Sequence, residues 1–382
     1  MFAGSDMSFF KTKSHYLINI ADIVVYVPLV VVLMMTFNLR QEGDTVALAN
    51  GTANALACLG AGKIFYDLNV VHFSLFQYLF AAPFIIAGLD TKTVVQALAG
   101  ISFVWFALTA IVFWRTGKRD AGVQGGHLNR LFLLTGYLLY YANSSFNEMA
   151  AFALFSLLAY SVIAHCRTLL IFLLCLACTI TKEFASPFVL LILVFSGAVC
   201  NMRESRDLSD LRGFSSFISG LMGVGAGTGT NVLCNYFRFG SPLNAPLLDP
   251  MLSAPWNAFT AYFFYLFYSP AGGLFWVWPS LLLLLFMQLW LNRNDCKKLV
   301  VIFSVSFFIV LVNAGFARWY SSFGWYAWGP RLTLPYLGAA LMLVLSVPSH
   351  LACRILPCVG NRPALLQLMF IGCFFCQCFR MF

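Results

Sequence analysis

Long apolar runs separated by short polar segments extend along the whole chain. The first is "YLINIADIVVYVPLVVVLMM", Tyr16 to Met35, which has the length of about 20 residues that a helix needs to cross a bilayer. The pattern predicts an all-α, polytopic membrane protein with about eleven transmembrane helices and one or two helices lying at the outer face. The predicted spans begin near Tyr16, Val94, Leu131, Glu148, Thr168, Phe184, Gly213, Gly273, Leu299, Arg331 and Ala364.

The run from Val70 to Leu89 is long enough to cross the bilayer, but it contains His72 and Pro83. If it crossed, the basic segment 115–130 would lie outside, against the tendency of Lys and Arg to remain cytoplasmic. We therefore predict that the run lies along the outer face or dips into it. The N-terminus is then cytoplasmic and the C-terminus outside, and the cytoplasmic loops are 115–130, 165–167, 201–212, 292–298 and 350–362.

Composition supports a membrane protein, since 61% of the 382 residues are hydrophobic and only 10% are charged. Soluble domains average roughly 45–50% apolar and about 25% charged. The net charge of +9 comes mostly from short loops, so it follows membrane orientation and does not indicate nucleic acid. The first apolar run lacks a small-residue cleavage pattern and is predicted to be a retained helix.

We predict one integral membrane domain, residues 1–382. It comprises a catalytic module, 1–200, with an outer loop at 37–69, and further helices, 201–382, with outer loops at 234–272 and 316–330.

Acidic residues occur at two places on the predicted outer face. "FNLRQEGDTVALAN" brings Glu42 and Asp44 shortly after the first span, and Glu148 begins a later one. Asp44 before Thr45 suits a helix N-cap, and Glu148 suits the positive end of a helix dipole. Either acid could instead accept a proton from a substrate, because charged groups at a membrane boundary are costly to keep. Both interpretations remain open on sequence alone.

Basic residues on the same predicted face could bind an anion. Lys182 either pairs with its neighbour Glu183 or contacts a phosphate. Arg238, Arg318 and Arg331 are uncommon in outer segments, and a guanidinium binds phosphate in a bidentate manner. Arg331 at a predicted helix start opposes the helix dipole and so predicts an anionic partner. Nearby Trp and Tyr rings could stack on a sugar or form an interfacial belt.

Two further motifs are interpreted as structural. The glycine-rich run "GLMGVGAGTGT", 220–230, lacks the lysine of a phosphate-binding loop and predicts close helix packing through small residues. The terminal "CFFCQC" has no His or acidic residue at ligand spacing, so we predict no metal site there. Most other cysteines lie in apolar runs and are expected to act as small hydrophobic residues.

The order of these motifs resembles the GT-C superfamily of glycosyltransferases that use polyprenyl-phosphate sugars. The bacterial branch akin to protein O-mannosyltransferases and the lipid A aminoarabinose transferase is the most similar. The resemblance covers roughly Tyr16 to Val347 and lies in motif order rather than in any single motif. It is carried by "EGD" with Asp44, "VVHFSLFQY" with His72 and Tyr78, Tyr141 with Glu148, "ITKEF" with Lys182, "NYFRFGSPL" with Arg238, "YSPAGGLFWVWP", and "WGPRLTLPY" with Arg331.

The resemblance implies a GT-C-like fold and a mechanism. Asp44 would act as general base on the acceptor hydroxyl, with Glu42 as the alternative because Gly43 separates the two acids. Glu148 would position the acceptor or a metal, so a divalent cation is the one cofactor left open. Cationic side chains would neutralise the leaving polyprenyl phosphate, which should be the larger catalytic contribution. The remaining expected substrate-binding residues are His72, Tyr78, Tyr141, Lys182, Arg238, Arg318 and Arg331.

The implied protein is a cell-envelope transferase in the bacterial inner membrane, with its active site on the extracytoplasmic face. Its partners would be a lipid-linked sugar donor and a glycan, lipid or protein acceptor, and no nucleic acid. An O-antigen polymerase or ligase is an alternative, although residues 234–272 contain one Arg and no His. A transporter is another, although we find only Asp22 deep in a span and no internal repeat.

Overall fold

The structure, a computed structural model, describes residues 43–62, 74–134, 138–142, 147–182, 184–204, 211–244, 256–269, 273–317 and 331–347. Within these ranges the regular structure is helical throughout, with no strand, which confirms the all-α prediction. All of them belong to one compact unit, residues 41–382. The spans predicted near Tyr16 and Ala364 and the C-terminal cysteines lie outside the described residues.

The helices are labelled in chain order. They are α1 (Gly43–Gly60), α2 (Leu75–Ile86), α3 (Thr91–Leu134), α4 (Leu138–Ala142), α5 (Glu148–Ile163), α6 (Thr168–Thr181), α7 (Ser186–Glu204), α8 (Leu211–Phe239), α9 (Trp256–Tyr268), α10 (Leu274–Val277), α11 (Pro279–Leu291), α12 (Cys296–Ala317) and α13 (Leu334–Ser346). A 3-10 turn at Arg331–Thr333 precedes α13.

Three helical segments of the described chain are long and apolar enough to cross a membrane, fewer than the eleven predicted. They are Thr91–Arg119, Gly213–Phe239 and Cys296–Gly315. Seven further apolar helices have 10–17 residues. At about 1.5 Å per residue such helices reach at most roughly 26 Å, short of a hydrocarbon core of about 30 Å. The predicted count of eleven spans, which includes runs outside the described residues, stays a prediction.

The charged segment 115–130, predicted as a cytoplasmic loop, has a helical backbone. It lies inside α3, yet Asn129 Nδ2 donates to the carbonyl oxygen of Phe113 at 3.3 Å. Residues sixteen apart in a straight helix would be about 24 Å apart. A Cβ on Gly126 would likewise lie 2.9 Å from the carbonyl oxygen of Trp114. The helical chain therefore turns back on itself here, where four glycines of the segment permit sharp bending.

Two other segments, one predicted as an outer loop and one as an interfacial run, contain helices. The predicted outer loop 234–272 contains the last turn of α8 and the whole of the aromatic helix α9. Within the run from Val70 to Leu89, residues 75–86 form α2, whose 12 residues reach about 18 Å. A capping box between Ser74 and Gln77 fixes where the helix starts. The interfacial position of this run stays a prediction.

The centre of the fold is formed by α5 and α13. Nearly every residue of both helices is buried, as expected for helices that are apolar on all sides. Their backbones approach closely at Gly338, where a Cβ would lie 2.6 Å from Ser156 Oγ and 2.7 Å from the carbonyl oxygen of Phe152. Aromatic rings fill the surrounding space, with Phe155 and Tyr336 5.1 Å apart in an edge-on contact.

Small residues at every fourth position of α8 pack against α6. At one end of this row of small residues, Ser219 Oγ donates to the carbonyl oxygen of Thr168 at 2.8 Å. A Cβ on Gly223 would collide with the carbonyl oxygen of Phe172, and one on Gly227 would lie 2.7 Å from Thr179 Cβ. The structure confirms that the glycine-rich run serves close helix packing.

The helices define two ends of the bundle. Near the start of α7, the ring of Phe188 lies 3.9 Å from the position of a Cβ on Gly315, near the end of α12. Further along α7, the ring of Phe195 lies 6.2 Å from that of Phe308, which precedes Gly315 in α12, so these two helices are antiparallel. Lys182, just before α7, marks one end, and Cys296, at the start of α12, marks the other. We call these the Lys182 end and the Cys296 end.

Candidate functional site: a polar cluster at the Lys182 end

Lys182 forms an ion pair with Glu148, which precedes it by 34 residues. Lys182 Nζ lies 3.2 Å from Glu148 Oε1. The Glu148 side chain is 1% exposed, whereas that of Lys182 is 24% exposed. The carboxylate is thus held inside the protein and the ammonium reaches towards the surface. The sequence suggested Glu183 as the partner of Lys182, but Glu183 lies outside the described residues.

Two helix ends bring these charges together. Glu148 is the first residue of α5, where a carboxylate is stabilised by the helix dipole. Lys182 directly follows the end of α6 in an extended conformation, with φ −141° and ψ 131°. The amide of Asn147 donates to the carbonyl oxygen of Thr181 at 3.4 Å, which fixes the two helix ends to each other.

Arg238 and Tyr78 form a second contact. The guanidinium carbon of Arg238 lies 5.4 Å from the ring centroid of Tyr78 and 4.7 Å from that of Phe239. Arg238 occupies the last turn of α8, where a cation is favoured by the helix dipole. Gly240, with φ +66°, ends the helix directly afterwards in a conformation that glycine adopts without strain.

Arg238 lies at the same end of the bundle as Lys182. The amide of Asn231 on α8 donates to the carbonyl oxygen of Thr179 near the end of α6, at 3.0 Å. Arg238 follows Asn231 by seven residues, so it is about 10 Å further along the helix axis. The chain thus brings two cations from distant segments to one end of the bundle.

The other predicted site residues are only partly described. Tyr141, in α4, is completely buried and so is placed as a core residue. Asp44 lies in the first turn of α1, which begins at Gly43, and Arg331 begins the 3-10 turn. The predicted positions that lie outside the described residues are Glu42, His72 and Arg318.

Sequence reasoning missed the amides that join helices or lie in the core. Asn147 and Asn231 join helices through the hydrogen bonds above. Asn313, within α12, is 1% exposed, and within the described part of the chain neither its Nδ2 nor its Oδ1 has a hydrogen-bond partner. A polar residue inside an apolar helix is itself a signal of function or specific packing. The run "FIVLVNAGFA" around Asn313 could have been recognised on that ground.

No protein-family model, curated protein or solved structure matches this chain. The resemblance to glycosyltransferases therefore rests on the order of the motifs alone.

The geometry favours recognition of an anion over acid–base chemistry by Glu148. Its carboxylate is paired with Lys182, so it would have to separate from that cation before it could accept a proton. Lys182 carries three N–H donors and is partly exposed, so it can pair with Glu148 and still contact a ligand. In the described residues no three His, Cys, Asp or Glu side chains come together in a metal-binding arrangement.

Proposed function

We propose that the protein is a membrane glycosyltransferase that moves a sugar from a polyprenyl-phosphate carrier to an envelope acceptor. The observation that supports this most is the location of Lys182 and Arg238 at one end of the bundle. Two cations there suit a lipid phosphate, which leaves as an anion when the sugar is transferred. The eleven-span GT-C-like architecture and the extracytoplasmic site in a bacterial inner membrane belong to the same proposal.

The proposed reaction has one bond-forming and one bond-breaking event. The acceptor oxygen attacks the anomeric carbon of the sugar, and the bond from that carbon to the phosphate oxygen breaks. Asp44 takes the proton of the acceptor hydroxyl, and polyprenyl phosphate leaves beside Lys182 and Arg238. Glu148 holds Lys182 in place through the 3.2 Å ion pair. In this scheme Glu148 is a positioning residue.

The test uses membranes that contain the full-length chain and polyprenyl-phosphate mannose or aminoarabinose labelled in the sugar. We expect transfer of label to an acceptor with stoichiometric release of polyprenyl phosphate. Asp44→Asn should lower the rate about 10²–10⁴-fold, the usual contribution of a general base. Glu42→Gln is the matched control and should retain most of the rate.

Other outcomes would point elsewhere. Full activity in Asp44→Asn together with loss in Glu42→Gln would move the base to Glu42. Movement of labelled donor across the bilayer without cleavage of its sugar–phosphate bond would indicate a transporter and would contradict the proposal. So would failure of the wild-type chain to use any polyprenyl-phosphate sugar.

A further inference from the structure

The turn between α11 and α12, at the Cys296 end, surrounds a cavity of about 320 Å³. Its lining includes Trp290, Asn292, Arg293, Asp295 and Lys298. This cavity is at the opposite end of the bundle from the proposed active site, and nothing in the proposed reaction uses it.

Hydrogen bonds hold Asn292, one of the lining residues, in place. Asn292 is 4% exposed, and its amide donates to the backbone oxygen of Gln288 at 2.9 Å and to Gln288 Oε1 at 3.0 Å. Gln288 Nε2 in turn donates to the carbonyl oxygen of Val344, at the end of α13, at 3.0 Å. The cavity is thus anchored to the core helix α13.

Cations dominate the charge around the cavity. The guanidinium carbon of Arg293 lies 6.0 Å from the ring centroid of Trp290, at the outer limit of a cation–π contact. A guanidinium carries five N–H donors, which can bind an anion. Lys298 Nζ lies 3.2 Å from Asp295 Oδ2. Exposed Lys297 adds a third positive charge to this turn, against the one carboxylate. The cations around the cavity therefore suit a phosphate group. The Asp295 carboxylate would compete with that phosphate for them.

Exposed apolar side chains lead away from the cavity along both helices. On α11 the exposed fractions are 59% for Trp290, 66% for Phe286 and 51% for Leu283. On α12 they are 63% for Val300 and 59% for Phe303. The spacing of three and four residues makes each set a stripe along its helix. A phosphate bound in the cavity would therefore lie where acyl chains could follow these stripes, which favours a lipid over a soluble anion.

We propose that this cavity binds the phosphate group of an anionic phospholipid. Arg293 and Lys298 hold the phosphate, Trp290 contacts the glycerol region, and the acyl chains lie on the apolar stripes. This inference does not depend on the proposed glycosyltransferase activity. It agrees with the predicted cytoplasmic position of residues 292–298, because anionic lipids give the cytoplasmic leaflet its negative surface potential.

The test measures lipid retained by the purified full-length chain in native mass spectrometry, after exposure to mixed micelles of phosphatidylglycerol and phosphatidylcholine. We expect preferential retention of phosphatidylglycerol. Arg293→Gln with Lys298→Gln should reduce that retention on the order of tenfold, because each basic residue near a membrane surface contributes severalfold. Asp295→Asn should increase retention, since it removes the competing charge and Asn still caps the helix.

The control is the double variant Lys92→Gln with Arg115→Gln, which removes one exposed Lys and one exposed Arg elsewhere. It should bind phosphatidylglycerol as the wild type does. Equal losses in both double variants would show general surface charge and overturn the proposal. So would unchanged retention in Arg293→Gln with Lys298→Gln, or displacement of the lipid by millimolar inorganic phosphate, which would assign the cavity to a free anion.

Discussion

The Glu148 carboxylate is almost completely enclosed, and Lys182 supplies a positive charge 3.2 Å from it. Burial of a charge is costly unless an opposite charge or hydrogen bonds compensate for it. Removal of one partner should therefore cost more than removal of both. The proposed role of Lys182 in phosphate binding must be separated from this structural role.

We expect Lys182→Met to destabilise the fold by up to about 3–5 kcal/mol, the range for breaking a buried pair. The partial exposure of Lys182 favours the lower part of that range. The double variant Glu148→Gln with Lys182→Met should regain most of the loss, because it leaves no buried charge. The measurement is the free energy of unfolding in SDS, with exposed Lys92→Met as the control. A Lys182→Met variant as stable as wild type would show that the pair contributes nothing.

At the scale of the element, α8 carries glycines whose replacement by alanine should have opposite effects on the free energy of unfolding. Gly223 and Gly227 face α6 so closely that a Cβ has no room, whereas a Cβ on Gly225 or Gly229 would meet nothing within 4 Å. Alanine is a better helix former than glycine by about 1 kcal/mol. The sign of a glycine-to-alanine change should thus depend on the face of the helix.

Gly223→Ala should lower the free energy of unfolding, since the added methyl group forces α6 and α8 apart. Gly225→Ala, its matched control, should raise it by roughly 0.5–1 kcal/mol through helix propensity. Unfolding in SDS measures both variants under the same conditions. Equal changes in the two variants would contradict the packing described for this row of small residues.

Aspartates precede two of the long helices and should make their first turns sensitive to acid. The side-chain and backbone hydrogen bonds from Thr93 lower the pKa of Asp90, before α3. The backbone N–H of Lys298, followed by its side chain, lowers the pKa of Asp295, before α12. Because the pKa of each carboxyl is lowered in the folded state, the ionised aspartate stabilises the fold above the ordinary carboxyl pKa. This stabilisation is lost as the pH falls through the lowered pKa.

Hydrogen exchange at the first turns of α3 and α12 measures this effect. Corrected for the intrinsic pH dependence, amide protection at Thr93 and Lys298 should be constant near neutral pH and fall only in strongly acidic solution. Asp90→Asn should remove the acid step at Thr93 while the step at Lys298 remains. Persistence of the Thr93 step in that variant would show that another group causes it.

At the scale of the whole molecule, the bundle separates two kinds of polar surface. The Lys182 end carries the Glu148 ion pair and Arg238, and the Cys296 end carries the basic cavity. The two ends of any membrane-spanning bundle face different compartments. A label that cannot cross the bilayer should therefore reach only one end from each side.

A membrane-impermeant maleimide should label exposed Cys296 in inverted vesicles, and Ser241→Cys, three residues after Arg238, in vesicles of the opposite orientation. Each variant is made in a chain whose other cysteines are replaced by Ser or Ala. Mass spectrometry of the labelled peptide is the measurement. Labelling of both positions from the same side would contradict the two-ended arrangement.

The sequence predicted helix starts well where a polar segment gives way directly to an apolar run. The starts of α5 at Glu148 and α6 at Thr168 agree with the structure, because each follows a short polar break. The helix at α9 was missed, since its aromatic run lies between segments rich in turn-forming residues. The helical path through 115–130 was missed because a charged, glycine-rich stretch has the composition of a loop.

The candidate site was predictable in residue type but not in pairing. Arg238 was recognised because Arg is uncommon in the predicted outer segments, and Lys182 because it interrupts an apolar stretch. Their partners, Glu148 and Tyr78, are distant in sequence, and such contacts depend on how the helices pack. Asn313 carries no local signal beyond its polarity in an apolar run.

The contact between α5 and α13 also has a consequence for how the protein is made. Gly338 meets Ser156 across about 180 residues of chain. At the usual 5–20 residues per second, a ribosome needs roughly 10–40 s to add them. During that interval α5 has no α13 to cover it, so its small and polar side chains face lipid or another protein. Between the synthesis of α5 and that of α13, newly made chains should therefore need insertion factors most. In the same interval they should be most susceptible to proteases.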